Sequence, residues 1–254
     1  MSLLVEELFD YAAGNLDGLS GGTGFTGAWS TDASGSEQPA IVTTNLSYSG
    51  MSNGSPTHAA RMKAWNEGDG ASKDHYFTRE FNGVPNTVNG AVYWFAWTQA
   101  SNLAKGGTTF VFNKLTSDIA GANPQVVLGW TSGLVDAKVQ SNGQLLYTGS
   151  ASYVAHNIVM KITMSGVAAN PVRVDLYCDV DMTTDPSGWT PKMTSTSWYV
   201  PAPITSFTWD TFTHASSGSD DLYYMDNFRI ATTSYEAGGN TVPASNTGNF
   251  FLLF

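Results

Sequence analysis

Chemistry in this 254-residue chain could be done by four histidines, one cysteine and 21 acidic residues, and their spacing along the sequence assembles little of it. His58, His75, His156 and His214 are scattered, with no close histidine–carboxylate spacing. The glucanase-type pattern, a Glu with an Asp two residues on and a Glu three further, is absent. Glu6, Glu7 and Asp10 form the densest acidic start, but they do not make a retaining carboxylate pair. No Gly-x-Ser-x-Gly elbow, His-Glu-x-x-His helix or phosphate loop occurs. Asp179, Asp181 and Asp185 imitate part of a calcium loop, but Thr184 stands where the sharp-turn glycine belongs. The single cysteine, Cys178, allows no intrachain disulfide and no cysteine-based metal site, and is expected to be a buried, inert thiol. Catalysis is therefore not expected.

Binding groups are easier to find. Trp65, Trp130, Trp189 and Trp198 fall in or beside turn-rich stretches and are candidate platforms for a glycan; the plain alternative is that they plug loops or fill core. Asp226, in YYMDNF, is in register with Tyr224 and Phe228, so an inward-facing carboxylate that needs a partner is expected. Phe250, Phe251, Leu252, Leu253 and Phe254 follow a polar Gly/Asn/Ser/Thr stretch. Five large apolar residues in a row are expected to dock onto another protein chain, the alternative being that they fold back over their own domain.

The elements that must carry these groups are strands. Charged residues make up only 13% of the chain, against about 25% in an average soluble protein. The polar surface must come from Ser, Thr, Asn and Gly. The net charge of −10 and the lack of a Lys/Arg run argue against a nucleic-acid partner. The N-terminus lacks the basic start and apolar core of a secretory signal, and no apolar run is long enough to span a membrane. Residues 91–99, AVYWFAWTQ, are apolar on both strand faces and read as the middle of a sandwich. Period-2 alternation puts Ile158, Met160, Ile162 and Met164 on one face, and Val172, Val174, Leu176, Cys178 and Val180 on another. The two runs are expected to pair antiparallel, with Arg173, Asp175, Tyr177, Asp179 and Asp181 facing out. Residues 141–143 read as a hairpin turn, and residues 182–203, with four prolines, as a long fixed loop. Strands are expected at 206–213 and 220–232. No helix of normal length and no 20–50-residue repeat is indicated. Short strands joined by short turns give an all-β, two-sheet antiparallel sandwich over residues 1–236, followed by a linker and apolar tail over 237–254.

Three stretches together resemble a family. LLVEELFDYAAGNLDGLSGGTGFTGAWS, NIVMKITMSGVAANPVRVDLYCDVD and LYYMDNFRIATTSYEA are similar to the concanavalin A-like (laminin-G-like) jelly-roll proteins exported by planctomycetes and related bacteria. The resemblance covers roughly residues 3–236. It implies a lectin-like jelly roll whose first and last strands lie side by side, with a structural calcium ion where they meet, at Asp10 and Asp226. It implies no other cofactor. Relatives carry an export signal in front and a sorting anchor behind, and this sequence shows neither. The pattern suits a non-catalytic particle component, such as a phage capsid decoration or fibre protein on a virion surface, assembling through its termini as a homo-oligomer or onto capsid proteins. A secreted or cell-surface carbohydrate-binding or adhesion protein is the second expectation, and a polysaccharide-degrading enzyme the third.

Overall fold

The computed structural model describes residues 3–31, 38–44, 46–52, 57–67, 71–73, 76–101, 105–112, 125–131, 134–139, 142–148, 155–167, 170–200, 203–212 and 221–240. The strands are β1 (Leu3–Glu7), β2 (Gly14–Asn15), β3 (Ser30–Thr31), β4 (Ala40–Thr43), β5 (His58–Glu67), β6 (Ala71–Lys73), β7 (Tyr76–Val84), β8 (Val92–Ser101) and β9 (Lys105–Phe112). They continue as β10 (Gln125–Thr131), β11 (Leu134–Val139), β12 (Asn142–Thr148), β13 (His156–Thr163), β14 (Pro171–Cys178), β15 (Met193–Tyr199), β16 (Ile204–Phe212) and β17 (Asp221–Ala231). A single helical turn, α1 (Ser234–Ala237), follows.

These strands form two antiparallel sheets, the layers of a concanavalin A-like jelly-roll sandwich. One has ten strands, running β15-β14-β13-β8-β17-β5-β4-β2 with β1 beside β17 and β6 beside β5; the other has seven, running β12-β11-β10-β9-β16-β7-β3. β8 is central to the larger sheet, between β13 and β17. Its Tyr93, Phe95 and Trp97 enter the core between the sheets, while Trp94 and Ala96 enter a second apolar cluster on the far face. That is why its sequence is apolar on both faces. From the smaller sheet Phe77, Phe81, Phe207 and Trp209 enter the main core, joined by Trp29 from the loop before β3. Trp29 lies edge-on to Phe77 and Phe207 at centroid distances of 4.9 and 5.5 Å, a favourable aromatic geometry.

The hairpin β13–β14 pairs as the alternation predicts, with Ile158 opposite Cys178 and Ile162 opposite Val174. The face read as wet is not uniformly so. Asp175 and Tyr177 are buried, because β15 pairs with β14 and the 181–189 loop closes over Tyr177. β15 itself lies inside the stretch read as loop. Pro191 precedes it and Pro201 follows it, so proline brackets an edge strand rather than interrupting one.

β17 departs from a simple alternation. A bulge between Asp226 and Arg229, with Asn227 at φ 55°, shifts its register against β8. Tyr224 consequently packs in a cluster on the outer face and Phe228 in the main core, so they do not share a face with Asp226 between them. Residues 237–240, read as the beginning of a linker, are held against the body: Ser52 N–H donates to the Gly238 carbonyl at 2.7 Å and Asn240 Nδ2 to the Gly50 carbonyl at 3.0 Å.

Candidate functional site

The outer faces of the two sheets are built differently. That of the larger sheet is sealed by two apolar clusters, one around Trp94, Val159, Tyr177, Met182 and Ala237, the other around Leu46, Ala59, Ala100 and Tyr224. On the smaller sheet, Tyr76, Thr78 and Glu80 alternate with the inward-facing Phe77, Arg79 and Phe81. On β16 next to it, Ser206 and Thr208 alternate with Phe207 and Trp209, and Ser206 stands opposite Glu80 and Thr208 opposite Thr78. Thr208 Oγ1 donates to Thr78 Oγ1 at 2.9 Å, and Thr78 Oγ1 donates to the Phe207 carbonyl at 3.0 Å. Among the described residues no apolar cluster covers this face. Thr208 itself is buried; the face presents the hydroxyls of Thr78 and Ser206, the phenol of Tyr76 and the exposed carboxylate of Glu80, and the register sets Asp210 opposite Tyr76. Such groups hydrogen-bond sugar hydroxyls in both directions. The signal was in HYFTREF: its polar positions define a face, and a search for contiguous motifs passes over it.

This face is braced from below. Arg79 points inward, its Nη1 2.6 Å from Glu7 Oε2, with its Nε and Nη2 donating to the Gly27 and Gly21 carbonyls at 2.8 Å each. Glu7 also accepts from the Tyr11 hydroxyl, Trp29 Nε1 and Phe9 N–H. Burial and the Glu7 carboxylate push the Tyr11 phenol up to about 12. The acidic start is thus spent on structure; Glu6 pairs with Arg229 at 2.9 Å.

The scattered histidines are not all isolated in three dimensions. At one end of the sandwich His156 Nδ1 lies 2.9 and 3.1 Å from the two carboxylate oxygens of Asp179. Asp179 adopts φ 56° and so does not simply face out as the strand alternation predicts. Tyr48, from the 46–52 loop, hydrogen-bonds the same carboxylate. Burial, then the charge of Asp179, pushes the Tyr48 phenol and the Cys178 thiol well above their usual ranges. Cys178 is buried, as expected, yet it is grouped with a histidine and an aspartate.

Where the chain ends meet, Asp226 is fully buried. Its Oδ1 accepts the Asn227 N–H at 2.7 Å, and its Oδ2 has no hydrogen-bond partner. Desolvation raises its pKa to about 8, opposed by the Asn227 bond and Arg229 and reinforced by Glu7 and Asp10. Asp10 and Glu7 add negative charge to its surroundings, but Glu7 is already bonded to Arg79, Tyr11, Trp29 and Phe9, and among the described residues Asp226 is not gathered with two further ligand side chains. β1 does lie beside β17, with Glu7 opposite Phe228.

Of the tryptophans, Trp189 is half-buried, edge-on to Trp94 and Tyr177 at 5.9 and 5.6 Å, and its indole N–H donates to Thr184 Oγ1 at 3.0 Å. It plugs the 181–189 loop onto the sheet. Trp65, Trp130 and Trp198 fall in β5, β10 and β15, where only the backbone pairing is described. Phe250, Phe251, Leu252, Leu253 and Phe254 lie outside the described residues.

No family model matches this chain, and no curated protein matches it. Solved structures do. A double mutant of the alginate lyase Aly36B in complex with an alginate tetrasaccharide is similar at a TM-score of 0.51 and 10% identity, over 89% of this chain and 95% of that one. An endo-acting O-glycanase structure, from work on mucin breakdown by the human gut microbiota, matches at 0.49 and 11%, over 91% and 99%. The endo-β-1,4-glucuronan lyase of the fungus Trichoderma reesei matches at 0.49 and 10%, over 79% and 94%. The expectations of a phage virion component and of a protein without catalysis are corrected by the match at a TM-score of 0.51, which is to a polysaccharide lyase and lends a virion role no support. Absent contiguous motifs do not exclude catalysis on this fold, because a sheet face gathers its groups from strands far apart in sequence.

Proposed function

We propose that this protein binds and cleaves a polysaccharide laid across the open face of the seven-stranded sheet. The observation that carries this reading is the contrast between the two outer faces: one sealed by apolar clusters, the other lined by the partly exposed Tyr76, Thr78 and Ser206 and the exposed Glu80. Tyr76 to Glu80 is four residues of strand, about 13 Å, enough to follow an extended glycan rather than a single sugar. The shared fold with an alginate lyase supports the same reading. A phenol and a carboxylate are groups that move protons in bond cleavage.

The test is turnover on a panel of neutral and acidic polysaccharides, followed by both reducing ends and unsaturated ends, since the first without the second marks hydrolysis and the second marks elimination. Glu80 is exposed, so Glu80→Arg obstructs the face without disturbing the core. Loss of both glycan retention and turnover in Glu80→Arg and Tyr76→Phe is expected. Wild-type levels in both variants, or no product from any glycan, would remove the face from consideration.

We also propose calcium as a structural ion at Asp226 and Asp10. The support is the partnerless, buried Asp226 Oδ2 and the added negative field of Asp10 and Glu7. The ion would neutralise a carboxylate that burial otherwise disfavours; it takes no part in the cleavage.

A further inference from the structure

We propose that His156, Cys178 and Asp179 form a binding site for a divalent transition metal, with zinc the best fit. This goes beyond the polysaccharide reading and does not depend on it.

The three potential ligand atoms, an imidazole nitrogen, the thiol sulfur and a carboxylate oxygen, lie within 4.8 Å of one another. A tetrahedral zinc with one sulfur, one nitrogen and one oxygen ligand has edges of about 3.3–3.7 Å. The cluster's longest edge, up to 4.8 Å, therefore has to close by about 1 Å. Its short edge, the 2.9 Å contact between His156 Nδ1 and Asp179, has to open by about 0.4 Å for both atoms to reach the ion. On binding, the imidazole presents Nδ1 to the metal in its Nε2–H tautomer, the thiol proton leaves to solvent, and the metal takes the place of the His156–Asp179 hydrogen bond.

Adjacent residues of a strand point to opposite faces, so Cys178 and Asp179 should be poor co-ligands. The left-handed backbone at Asp179 (φ 56°) alters this and brings its carboxylate to the thiol's side. The turn is locked: Asp179 N–H donates to the Asn157 carbonyl at 3.0 Å, Val180 N–H to Asn157 Oδ1 at 3.0 Å, and Asn157 Nδ2 to the Val180 carbonyl at 2.6 Å. His156 and Asn157 open β13, so one strand supplies a ligand and, through its next residue, the clamp on the other two. Such support is what keeps ligands in place before the ion arrives.

The donor set decides the metal. A thiolate with an imidazole favours zinc, cobalt or copper over calcium and magnesium, which separates this site from the all-oxygen one at Asp226. Tyr48, bonded to Asp179, stands beside the site, with Asp181 and Lys192 as the other nearby charges. Cys178 and His156 are buried at 4% and 8% exposure while Asp179 is partly exposed, so an ion would enter past the carboxylate. Its effect would be to tie β13, β14 and the 46–52 loop together at one end of the sandwich.

The test uses the full chain stripped with chelator and titrated with cobalt(II), whose bond to a thiolate gives a charge-transfer band in the near ultraviolet. A band saturating at about one equivalent, displaced by zinc and untouched by calcium, is expected. Cys178→Ser should abolish it, and His156→Gln should weaken cobalt binding by about tenfold or more. Because the wild-type titration needs no variant, a folding defect cannot obscure the answer. No band in the folded wild type, or a band that survives in Cys178→Ser, overturns the assignment.

Discussion

Glu7 and Arg79, at opposite ends of a 72-residue separation, meet at 2.6 Å with both side chains only 2% exposed. Their contact joins β1, which belongs to the larger sheet, to β7, which belongs to the smaller. Arg79 also lies 3.9 Å from the Phe25 ring centroid, so the guanidinium is held by charge, carbonyls and an aromatic face together. Arg79→Met is expected to destabilise the fold by about 3–5 kcal/mol, since it leaves a buried carboxylate without its cation. Urea unfolding measures this directly, and a loss under about 1 kcal/mol would mean the pair does not brace the sandwich.

Asp226 gives stability an unusual pH dependence. The folded protein keeps this proton up to about pH 8, while the unfolded chain releases it near 3.8. The contribution is therefore fully present below 3.8, falls at up to about 1.4 kcal/mol per pH unit above it, and is lost once pH passes about 8. In chelator-treated protein, Asp226→Asn should flatten this part of the profile and raise the melting temperature at pH 8. A variant that keeps the wild-type slope would place the titration elsewhere.

Calcium should act against that trend. An ion at Asp226 and Asp10 needs both carboxylates charged, so its stabilisation grows as pH rises. At a hundred times its dissociation constant it would add about 2.7 kcal/mol. Chelator should lower the melting temperature at pH 8 much more than at pH 5, and Asp226→Asn should remove the difference. Equal melting curves with calcium and with chelator at pH 8 would take the ion out of the account.

Cys178 is 4% exposed and burial pushes its thiol well above the usual range. Thiol reagents need both access and a thiolate. Native labelling is expected to be slow and to become fast in denaturant, tracking unfolding. Rapid labelling of the folded protein would show that this end of the sandwich opens.

Charge gives a further expectation for glycan binding. The chain carries a net charge of −10, and the exposed group on the open face is a carboxylate, Glu80. An acidic polysaccharide should bind more tightly as salt rises, because screening weakens repulsion, while a neutral one should be insensitive. Affinity electrophoresis in gels of each polymer at two salt concentrations reads the sign.

The sequence by itself determined the layers. Period-2 alternation in β13 and β14, and apolar residues on both faces of β8, follow from strand geometry, because a strand shows its burial pattern locally. Tertiary structure alone decided what meets. The bulge at Asn227 separates Tyr224 from Phe228, and the turn at Asp179 brings its carboxylate beside Cys178; both are single-residue backbone changes that alternation cannot register. His156 and Asp179 lie 23 positions apart, Glu7 and Arg79 72, and Thr78 and Thr208 130. Pairings of that range are set by which strands become neighbours in a sheet. That choice depends on the packing of the whole sandwich, so no spacing along the chain discloses it.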